Sequence, residues 1–157
     1  MSFNKQEFLR EKILALTGPS PKEHYKADAA IVWCFDHRFR QALLEFIQKK
    51  KIKNDDLICV AGGLQSLASG NGAEREFVLF QIQASIKLHA PSKIYLMVHS
   101  DCGKYGGLKN FGGDEAKELE FLAEEARKAK EYLAGRVPEN TSIQTIFADW
   151  GGLWFLD

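Results

Sequence analysis

The sequence predicts an α/β protein whose mainly parallel β-sheet, with about four to five strands, is flanked by helices. Two observations support this fold class. Short apolar runs typical of buried strands alternate with segments of helical periodicity, and parallel neighbours in a sheet need such crossover connections. The chain has 157 residues, about the length of one domain, so we expect residues 1–157 to form a single domain.

The first part of the chain predicts a helix, a strand, a second helix and a second strand. Residues 4–16 place apolar side chains at helical spacing and Gly18-Pro19 ends the pattern, so residues 1–18 are expected to form an N-terminal helical arm. The apolar run at 29–34 suits a strand buried on both faces, and helical spacing follows over residues 39–47.

The next apolar run, residues 57–60, is expected to form a second buried strand. Cys59 lies between apolar neighbours in this run, which favours packing in the core over metal binding. A glycine-rich loop over residues 62–72 follows and is a candidate wall of a site.

The remaining elements continue the alternation of helices and strands. They are a helix around residues 77–86, a strand at 94–98 that ends at His99, a long helix at 115–133 that includes Leu119 in its apolar series, a strand at 142–148 and a short edge strand within 150–155. In parallel sheets ligands bind beyond the carboxyl ends of the strands. Cys34, His99 and Cys102 are all expected at that edge.

The composition excludes several classes of partner. Lys and Arg number 21 and Asp and Glu also number 21, so no strong field would draw the protein to nucleic acid or to a membrane surface. From the opening residues we expect no signal peptide, and no apolar run approaches the roughly 20 residues that cross a bilayer. We therefore expect a cytoplasmic protein that acts on a small substrate.

Cysteine chemistry stands out against this neutral background. The three cysteines are an odd number and widely spaced, which favours free or metal-bound thiols over a disulfide framework. Cys34 opens the segment Cys-Phe-Asp-His-Arg, and His99 opens the segment His-Ser-Asp-Cys-Gly, which contains Cys102. Two thiolates and one imidazole suit Zn²⁺, and three protein ligands leave a fourth position open, as catalytic zinc sites do.

Asp36 and Arg38 accompany the first of these ligands. In an extended segment, side chains two residues apart share a face, so Cys34, Asp36 and Arg38 can address one pocket. The guanidinium can hold the carboxylate bidentately, although an ordinary ion pair at the surface is an alternative interpretation. For His37, surface exposure, proton transfer and a spare ligand all remain open.

The two motifs, Cys-x-Asp-x-Arg at 34–38 and His-x-x-Cys-Gly at 99–103, resemble the signature of the β-carbonic anhydrases. The resemblance covers about residues 27–157, because residues 56–63 and the aromatic final strand also have counterparts in that family. It implies a β-carbonic anhydrase-like fold and a homodimer or higher homo-oligomer.

The resemblance also implies roles for individual residues. Cys34, His99 and Cys102 would bind zinc, and Asp36 and Arg38 would form the catalytic pair beside the metal-bound water. An inactive state is implied too, in which Arg38 releases Asp36 to become the fourth ligand. The expected activity is reversible hydration of carbon dioxide to bicarbonate by a zinc-bound hydroxide. Two alternatives stay open, namely hydrolysis of carbonyl sulfide or carbon disulfide on the same site, and a non-catalytic zinc-binding regulatory or interaction protein.

Overall fold

The computed structural model describes residues 13–14, 17–18 and 21–156. Most of the predicted N-terminal arm, residues 1–18, lies outside these residues.

The described residues form five strands, four α-helices and three short 3₁₀ helices. The strands are β1 (Ala29–Cys34), β2 (Asp55–Val60), β3 (Lys93–His99), β4 (Ser142–Asp149) and β5 (Gly152–Phe155). The helices are α1 (Arg40–Lys49), α2 (Gln65–Ala68), α3 (Gly72–His89) and α4 (Glu115–Ala134). The sheet order is β2-β1-β3-β4-β5, with every neighbouring pair parallel except β4 and β5. The predicted fold class is confirmed, as is the short edge strand at the end of the chain.

The sheet is covered by helices on both faces. Ala30 and Val32 of β1 pack with α2, α3 and α4 on one face, whereas Ile31 and Trp33 pack with α1 on the other. Every residue of β1 is buried. The continuous apolar run predicted this, because a central parallel strand has no face in contact with water.

The prediction of a second buried strand is wrong for β2. This strand lies at the edge of the sheet and pairs only with β1, so Ile58 packs into the core while Leu57 and Cys59 are exposed. The expected core position of Cys59 is therefore also wrong. A short apolar run does not distinguish a strand covered on two faces from one covered on a single face.

α3 begins earlier than the apolar periodicity predicted, at Gly72. The Asn71 side chain accepts a hydrogen bond from the Glu74 N–H (3.0 Å), and the Glu74 carboxylate accepts one from the Asn71 N–H (3.3 Å). This reciprocal cap satisfies two N–H groups that a helix start leaves without partners. The predicted loop at 62–72 thus contains the short helix α2 and the start of α3.

The buried face of α4 includes Leu122, Ala126 and Leu133, as predicted, but not Leu119. Leu119 is 40% exposed, whereas Glu118 and Glu125 are each 1% exposed. Carboxylates are rarely buried unless they have partners. The partners of Glu118 belong to the candidate site described below.

None of the helices among residues 21–156 combines the length and apolar character needed to span a bilayer.

Candidate metal centre

The carboxyl ends of β1 and β3 bring the three predicted metal ligands together. Cys34 is the last residue of β1, His99 is the last residue of β3, and Cys102 lies in the turn that follows β3. All three are buried, and their Sγ and ring-nitrogen atoms lie within 4.8 Å of one another. β1 and β3 are adjacent parallel strands, so residues 65 positions apart in sequence reach the same point.

The orientation of His99 leaves one ring nitrogen for a metal. Nδ1 lies 2.8 Å from the carbonyl oxygen of Ser100, which can only accept a hydrogen bond, so Nδ1 carries the proton. Nε2 then presents its lone pair, and among the described residues it is a buried atom without a hydrogen-bond partner. A ligating histidine typically donates its other N–H to a carbonyl or carboxylate in this way.

A hydrogen bond between the two thiols moves their pKa values in opposite directions. A hydrogen bond from the Cys102 thiol lowers the pKa of Cys34 to about 4, despite burial. The same hydrogen bond, together with burial, raises the pKa of Cys102. Two thiolates side by side in a buried site repel each other, and a bound cation would remove that penalty.

This donor set fits zinc. Two sulfur atoms and one neutral imidazole nitrogen are borderline-soft ligands, which Zn²⁺ prefers over the hard oxygen ligands of Mg²⁺ or Ca²⁺. Cys34, His99 and Cys102 are the group of potential metal ligands that residues 21–156 bring together, and Cys59 and His37 are not part of it. His37 is exposed, which agrees with its interpretation as a surface residue.

Asp36 and Arg38 form a close ion pair beside this group. Arg38 Nη2 donates to Asp36 Oδ2 at 2.6 Å, and Nε donates to both carboxylate oxygens at 3.0 and 3.1 Å. The Arg38 backbone N–H also donates to Asp36 Oδ1 at 3.0 Å, which caps the short 3₁₀ helix His37–Phe39. These hydrogen bonds lower the pKa of Asp36 to about 2, so the carboxylate is ionised at neutral pH.

Asp36 reaches the edge of the metal position without occupying it. Its Oδ2 atom lies 3.9 Å from Nε2 of His99, and the same oxygen accepts the shortest hydrogen bond from Arg38. The carboxylate is therefore near enough to contact a molecule bound at the fourth metal position, while Arg38 holds it to one side.

Asp101 is a second acidic partner of Arg38 that the sequence did not reveal. Arg38 Nη1 donates to Asp101 Oδ2 at 2.9 Å, and Nη2 donates to the Asp101 carbonyl oxygen at 3.0 Å. The only available signal was its position inside the second motif. An acidic residue between two ligands can equally face solvent, so local spacing does not indicate a partner 63 residues away.

Glu118 of α4 anchors the loop that carries Asp101. Its two carboxylate oxygens accept hydrogen bonds from the Ser100 hydroxyl (2.6 Å) and from the Asp101 N–H (2.8 Å). A signal for this residue was present, since Glu118 stands one helical turn before Leu122 on the buried stripe of α4.

Aromatic rings enclose the site on the remaining side. Phe39 lies against His99, with ring centroids 4.5 Å apart, and Trp150 stacks on Phe39 at 5.3 Å. The guanidinium of Arg38 lies over the Trp150 ring, 5.2 Å from its centroid, as cation–π partners do. Arg38 is thus contacted on its edges by two carboxylates and on its face by an aromatic ring.

A depression of about 550 Å³ opens from Asp36 and Arg38 to solvent. It is lined by Asp36, Arg38, Asp101, Gly103, Gly106, Gly107 and Lys109. The glycine-rich loop expected to form a wall lies behind the ligands instead. Gly63 lies against the backbone of Met97 and Cys34, so the loop supports the metal centre rather than lining its mouth.

The chain is similar to known proteins in sequence pattern and in fold. Residues 24–136 match the protein family described as "Putative carbonic anhydrase". A search of curated protein sequences found no match.

Three solved structures illustrate the structural likeness. A carbonic anhydrase from Streptococcus mutans has a TM-score of 0.61 and 20% identity, with 89% of this chain and 88% of that chain covered. The β-carbonic anhydrase isoform I of Trichomonas vaginalis has a TM-score of 0.59 and 15% identity, covering 88% and 86%. A carbon disulfide hydrolase has a TM-score of 0.54 and 14% identity, covering 83% and 79%. At these identities the likeness establishes the fold, which is that of the β-carbonic anhydrases.

Proposed function

Because the chain belongs to the carbonic anhydrase family that its residues 24–136 match, we propose that it hydrates carbon dioxide reversibly to bicarbonate with a zinc ion. The observation that carries this proposal is the buried group of Cys34, His99 and Cys102, with the unpartnered Nε2 of His99 directed into it. An ionised Asp36 beside that group adds the polar contact that such a reaction needs.

Cys34, His99 and Cys102 would hold the metal, each with a distinct contribution. The thiolates supply two negative charges that neutralise Zn²⁺ in a buried position, and the hydrogen bond from His99 Nδ1 to Ser100 keeps the imidazole lone pair on Nε2. Zinc bound there would activate a water molecule by lowering its pKa towards about 7.

Asp36 would orient the attacking water. Its carboxylate accepts hydrogen bonds and does not need to take up the proton, since Arg38 keeps its pKa at about 2. By accepting a hydrogen bond from the water, Asp36 would aim an oxygen lone pair at the substrate carbon. Arg38 would keep the carboxylate in the orienting position and off the metal.

The depression next to Asp36 suits a small neutral substrate that yields an anionic product. Carbon dioxide enters without a charge, and Arg38 and Lys109 balance the carboxylates of Asp36 and Asp101, so the lining has no net negative charge to repel the bicarbonate formed. Hydration transfers the water oxygen to the carbon, and the proton released passes to solvent or buffer.

A second candidate is the hydrolysis of carbonyl sulfide or carbon disulfide. A carbon disulfide hydrolase is among the solved structures that share this fold, with a TM-score of 0.54. All three substrates are linear and neutral, and the same metal and carboxylate would serve each of them. Direct assay separates these activities better than the shape of the depression does.

Stopped-flow measurement of carbon dioxide hydration by zinc-loaded protein tests the proposal. We expect low activity at about pH 6–7 and a plateau above about pH 8, because the two thiolates partly cancel the charge of zinc and raise the pKa of the activated water. Sulfide release from carbonyl sulfide or carbon disulfide without carbon dioxide turnover would select the second candidate. Inactivity on all three substrates at about pH 8.5 would favour a non-catalytic zinc-binding regulatory or interaction protein.

We also propose that the protein assembles as a homodimer or higher homo-oligomer. The outer face of α3 supports this, since Phe77, Phe80 and Leu88 are 56%, 64% and 69% exposed. These side chains lie at positions i, i+3 and i+11, which follow one side of the helix. An aligned apolar stripe of this kind marks an interaction surface more often than isolated exposed residues do.

A further inference from the structure

We propose that Asp101 and Glu118 are positioning residues, which hold Arg38, and through it Asp36, in the arrangement that leaves the fourth metal position open. The proposal rests on the proposed metal site and deepens it, because it says what decides between the open and the closed state of that site.

Asp101 supplies the second half of the binding site for the Arg38 guanidinium. Two of the five side-chain hydrogen bonds that Arg38 makes go to Asp101, one to Oδ2 and one to the carbonyl oxygen. The other three go to Asp36. A guanidinium that is bound on two edges has a fixed orientation. If only Asp36 held it, the two side chains could move together.

Asp101 is itself fixed by its backbone and by its side chain. Its φ of 54° lies in the left-handed region, which is unusual for a residue other than glycine and must be held by surrounding contacts. Oδ1 accepts a hydrogen bond from the Leu108 N–H at 2.9 Å, while Oδ2 receives Arg38. Each carboxylate oxygen thus has its own donor, and the side chain cannot turn without losing one of them.

Glu118 fixes the turn from the helix side. Its side chain is buried, and its two oxygens accept from the Ser100 hydroxyl and the Asp101 N–H. A buried carboxylate that loses a donor retains its full cost of desolvation, so the turn stays attached to α4. A series of contacts therefore connects α4 to the proposed metal position. Glu118 contacts Asp101, Asp101 contacts Arg38, and Arg38 contacts Asp36.

This series of contacts controls the position of the Asp36 carboxylate. Its Oδ2 lies 3.9 Å from His99 Nε2, so a small rotation would carry it to a cation at the metal position. Arg38 and the cation compete for the same carboxylate. Weakening the hold on Arg38 should shift this competition towards the cation and close the fourth position.

Cobalt(II)-substituted protein tests the proposal, with thiocyanate as an anionic probe of the fourth position. Binding is followed by the change in the visible spectrum of the cobalt site. We expect Asp101→Asn to weaken thiocyanate binding about 10-fold or more, the lower end of the effects typical of residues that support a metal's ligands. Asn tolerates the left-handed backbone and can still accept from the Leu108 N–H, so the variant removes chiefly the bond to Arg38.

Glu118→Gln is the second variant, and Glu125→Gln is its matched control. The amide side chain introduced at position 118 would keep one acceptor for the turn, so we expect a weaker effect in the same direction as Asp101→Asn. Glu125 is equally buried on α4, but its partners are Ser69, Tyr105 and Lys128. We expect Glu125→Gln to bind thiocyanate as the wild type does.

A double variant separates release of Asp36 from general disorder of the site. In an Asp36→Ala background no carboxylate is available to close the fourth position, so Asp101→Asn and Glu118→Gln should no longer weaken thiocyanate binding. Wild-type affinity in either single variant would overturn the role of that residue. Equal weakening with and without Asp36 would overturn the proposal, because the effect would then not pass through Asp36.

The same experiment distinguishes this proposal from the proposed activity. It requires metal and anion binding but no turnover of carbon dioxide. A cobalt protein that shows the expected pattern and hydrates no substrate would support the positioning role and contradict the activity. Failure of the wild-type protein to bind cobalt would overturn both.

Discussion

At the scale of single residues, Arg38 contacts two carboxylates and an aromatic ring at once. It donates three side-chain hydrogen bonds to Asp36 and two to Asp101, and its face lies over Trp150. An Arg-to-Lys change would not conserve this arrangement, because lysine lacks the planar fork. The proposed metal ligands and the side chain proposed to control the fourth metal position are therefore separate parts of the candidate site.

The first prediction concerns this pair. Arg38→Ala should leave zinc bound but abolish carbon dioxide hydration, because the freed Asp36 can occupy the fourth position. Asp36→Asn should also retain zinc and lose about 10- to 100-fold in activity. Metal analysis with stopped-flow assays checks both, and Arg40→Ala, an exposed arginine two positions further on, is the control. Wild-type rates in both variants would mean that the pair only stabilises the fold.

The sequence predicted the proposed ligands better than the residues that support them. Cys34, His99 and Cys102 have side chains with few roles besides metal binding in such motifs, so residue type and spacing were informative. Asp101 and Glu118 act through contacts between segments that are distant in sequence. Acidic residues are common on surfaces, and only the tertiary structure shows which of them are buried against a partner.

At the scale of elements, two glycines allow the loop after β2 to pack against the metal centre. Gly62 and Gly63 have φ values of 76° and 57°, which turn the chain sharply at the end of β2. The Leu64 N–H then donates to the Met97 carbonyl oxygen of β3 at 2.9 Å. This bond joins the loop to the strand that carries His99.

The second prediction is that Gly63→Ala destabilises the protein and weakens metal binding. A Cβ atom there would lie 2.2 Å from the Met97 carbonyl oxygen and 3.3 Å from the Cys34 nitrogen, and the left-handed φ adds strain of about 1–3 kcal/mol. Gly72→Ala is the matched control, since the space around Gly72 is open and Gly72 is the first residue of α3. Urea unfolding should show a large loss for the first variant and a change within about 1 kcal/mol for the second. Equal stability of the two variants would contradict this account of the loop.

A second polar cluster joins the start of β2 to the end of α3, away from the candidate metal centre. The Asp56 carboxylate accepts hydrogen bonds from the Ser85 hydroxyl (2.5 Å), the Tyr25 hydroxyl (2.6 Å) and His89 Nδ1 (2.9 Å). Burial raises the pKa of Asp56, but these hydrogen bonds outweigh it and hold the pKa below its usual range. The cluster therefore favours the ionised carboxylate.

The third prediction follows from the sign of that shift. A lowered pKa in the folded state adds stability above the unfolded pKa of about 4, and this stability is lost as the pH falls through the folded value. Asp56→Asn should thus cost about 1–3 kcal/mol of unfolding free energy near pH 6 and much less at an acid pH well below the unfolded value of about 4. Urea unfolding at both pH values checks this, with Asp55→Asn as a control that removes a neighbouring charge. A cost independent of pH would show that the charge of Asp56 contributes nothing.

The elements themselves were predictable to different degrees. β1 and β3 follow from the continuous apolar runs that central strands require, and β4 follows from the alternation over residues 142–148. All three predictions lie close to the bounds observed. β2 was expected to be buried and lies at the edge, since local sequence does not encode which strands pair. α4 was predicted with nearly correct ends and with three of its buried positions, but two further buried positions are glutamates, which apolar periodicity does not identify.

At the scale of the whole molecule, the topology brings the candidate site residues together and leaves an apolar stripe of α3 exposed. The parallel neighbours β1 and β3 end at the same edge, so residues from two distant motifs meet there. Alternation of strands and helices predicted this convergence. The strand order did not follow from the sequence, and neither did the exposed stripe on α3.

The fourth prediction is that the stripe on α3 mediates self-association. Phe80→Glu places a charge in its centre and should reduce the mass measured by sedimentation equilibrium, because a charge buried at an interface without a partner is strongly unfavourable. Arg40→Glu, at an exposed position of α1 on the other face of the sheet, should leave the mass unchanged. A wild-type protein that sediments as a monomer at all concentrations would contradict both the stripe's role and the proposed homo-oligomer.

The last prediction concerns the link between metal binding and the stability of the fold. Cys34, His99 and Cys102 come from two strand ends and one turn, so a zinc ion held by all three joins segments that separate on unfolding. A ligand that binds only the folded state at 100 times its dissociation constant adds about 2.7 kcal/mol, which for a chain of this size raises the melting temperature by about 5–10 °C. We expect that rise when zinc is added to chelator-treated protein, as measured by thermal unfolding.

Two cysteine variants locate the zinc that causes this rise in melting temperature. Cys102→Ser should lose most of the rise, whereas Cys59→Ser should keep it, because Cys59 lies exposed on β2 outside the group. An equal shift in the wild type and both variants would mean that zinc binds elsewhere, and no shift in the wild type would contradict the metal centre itself.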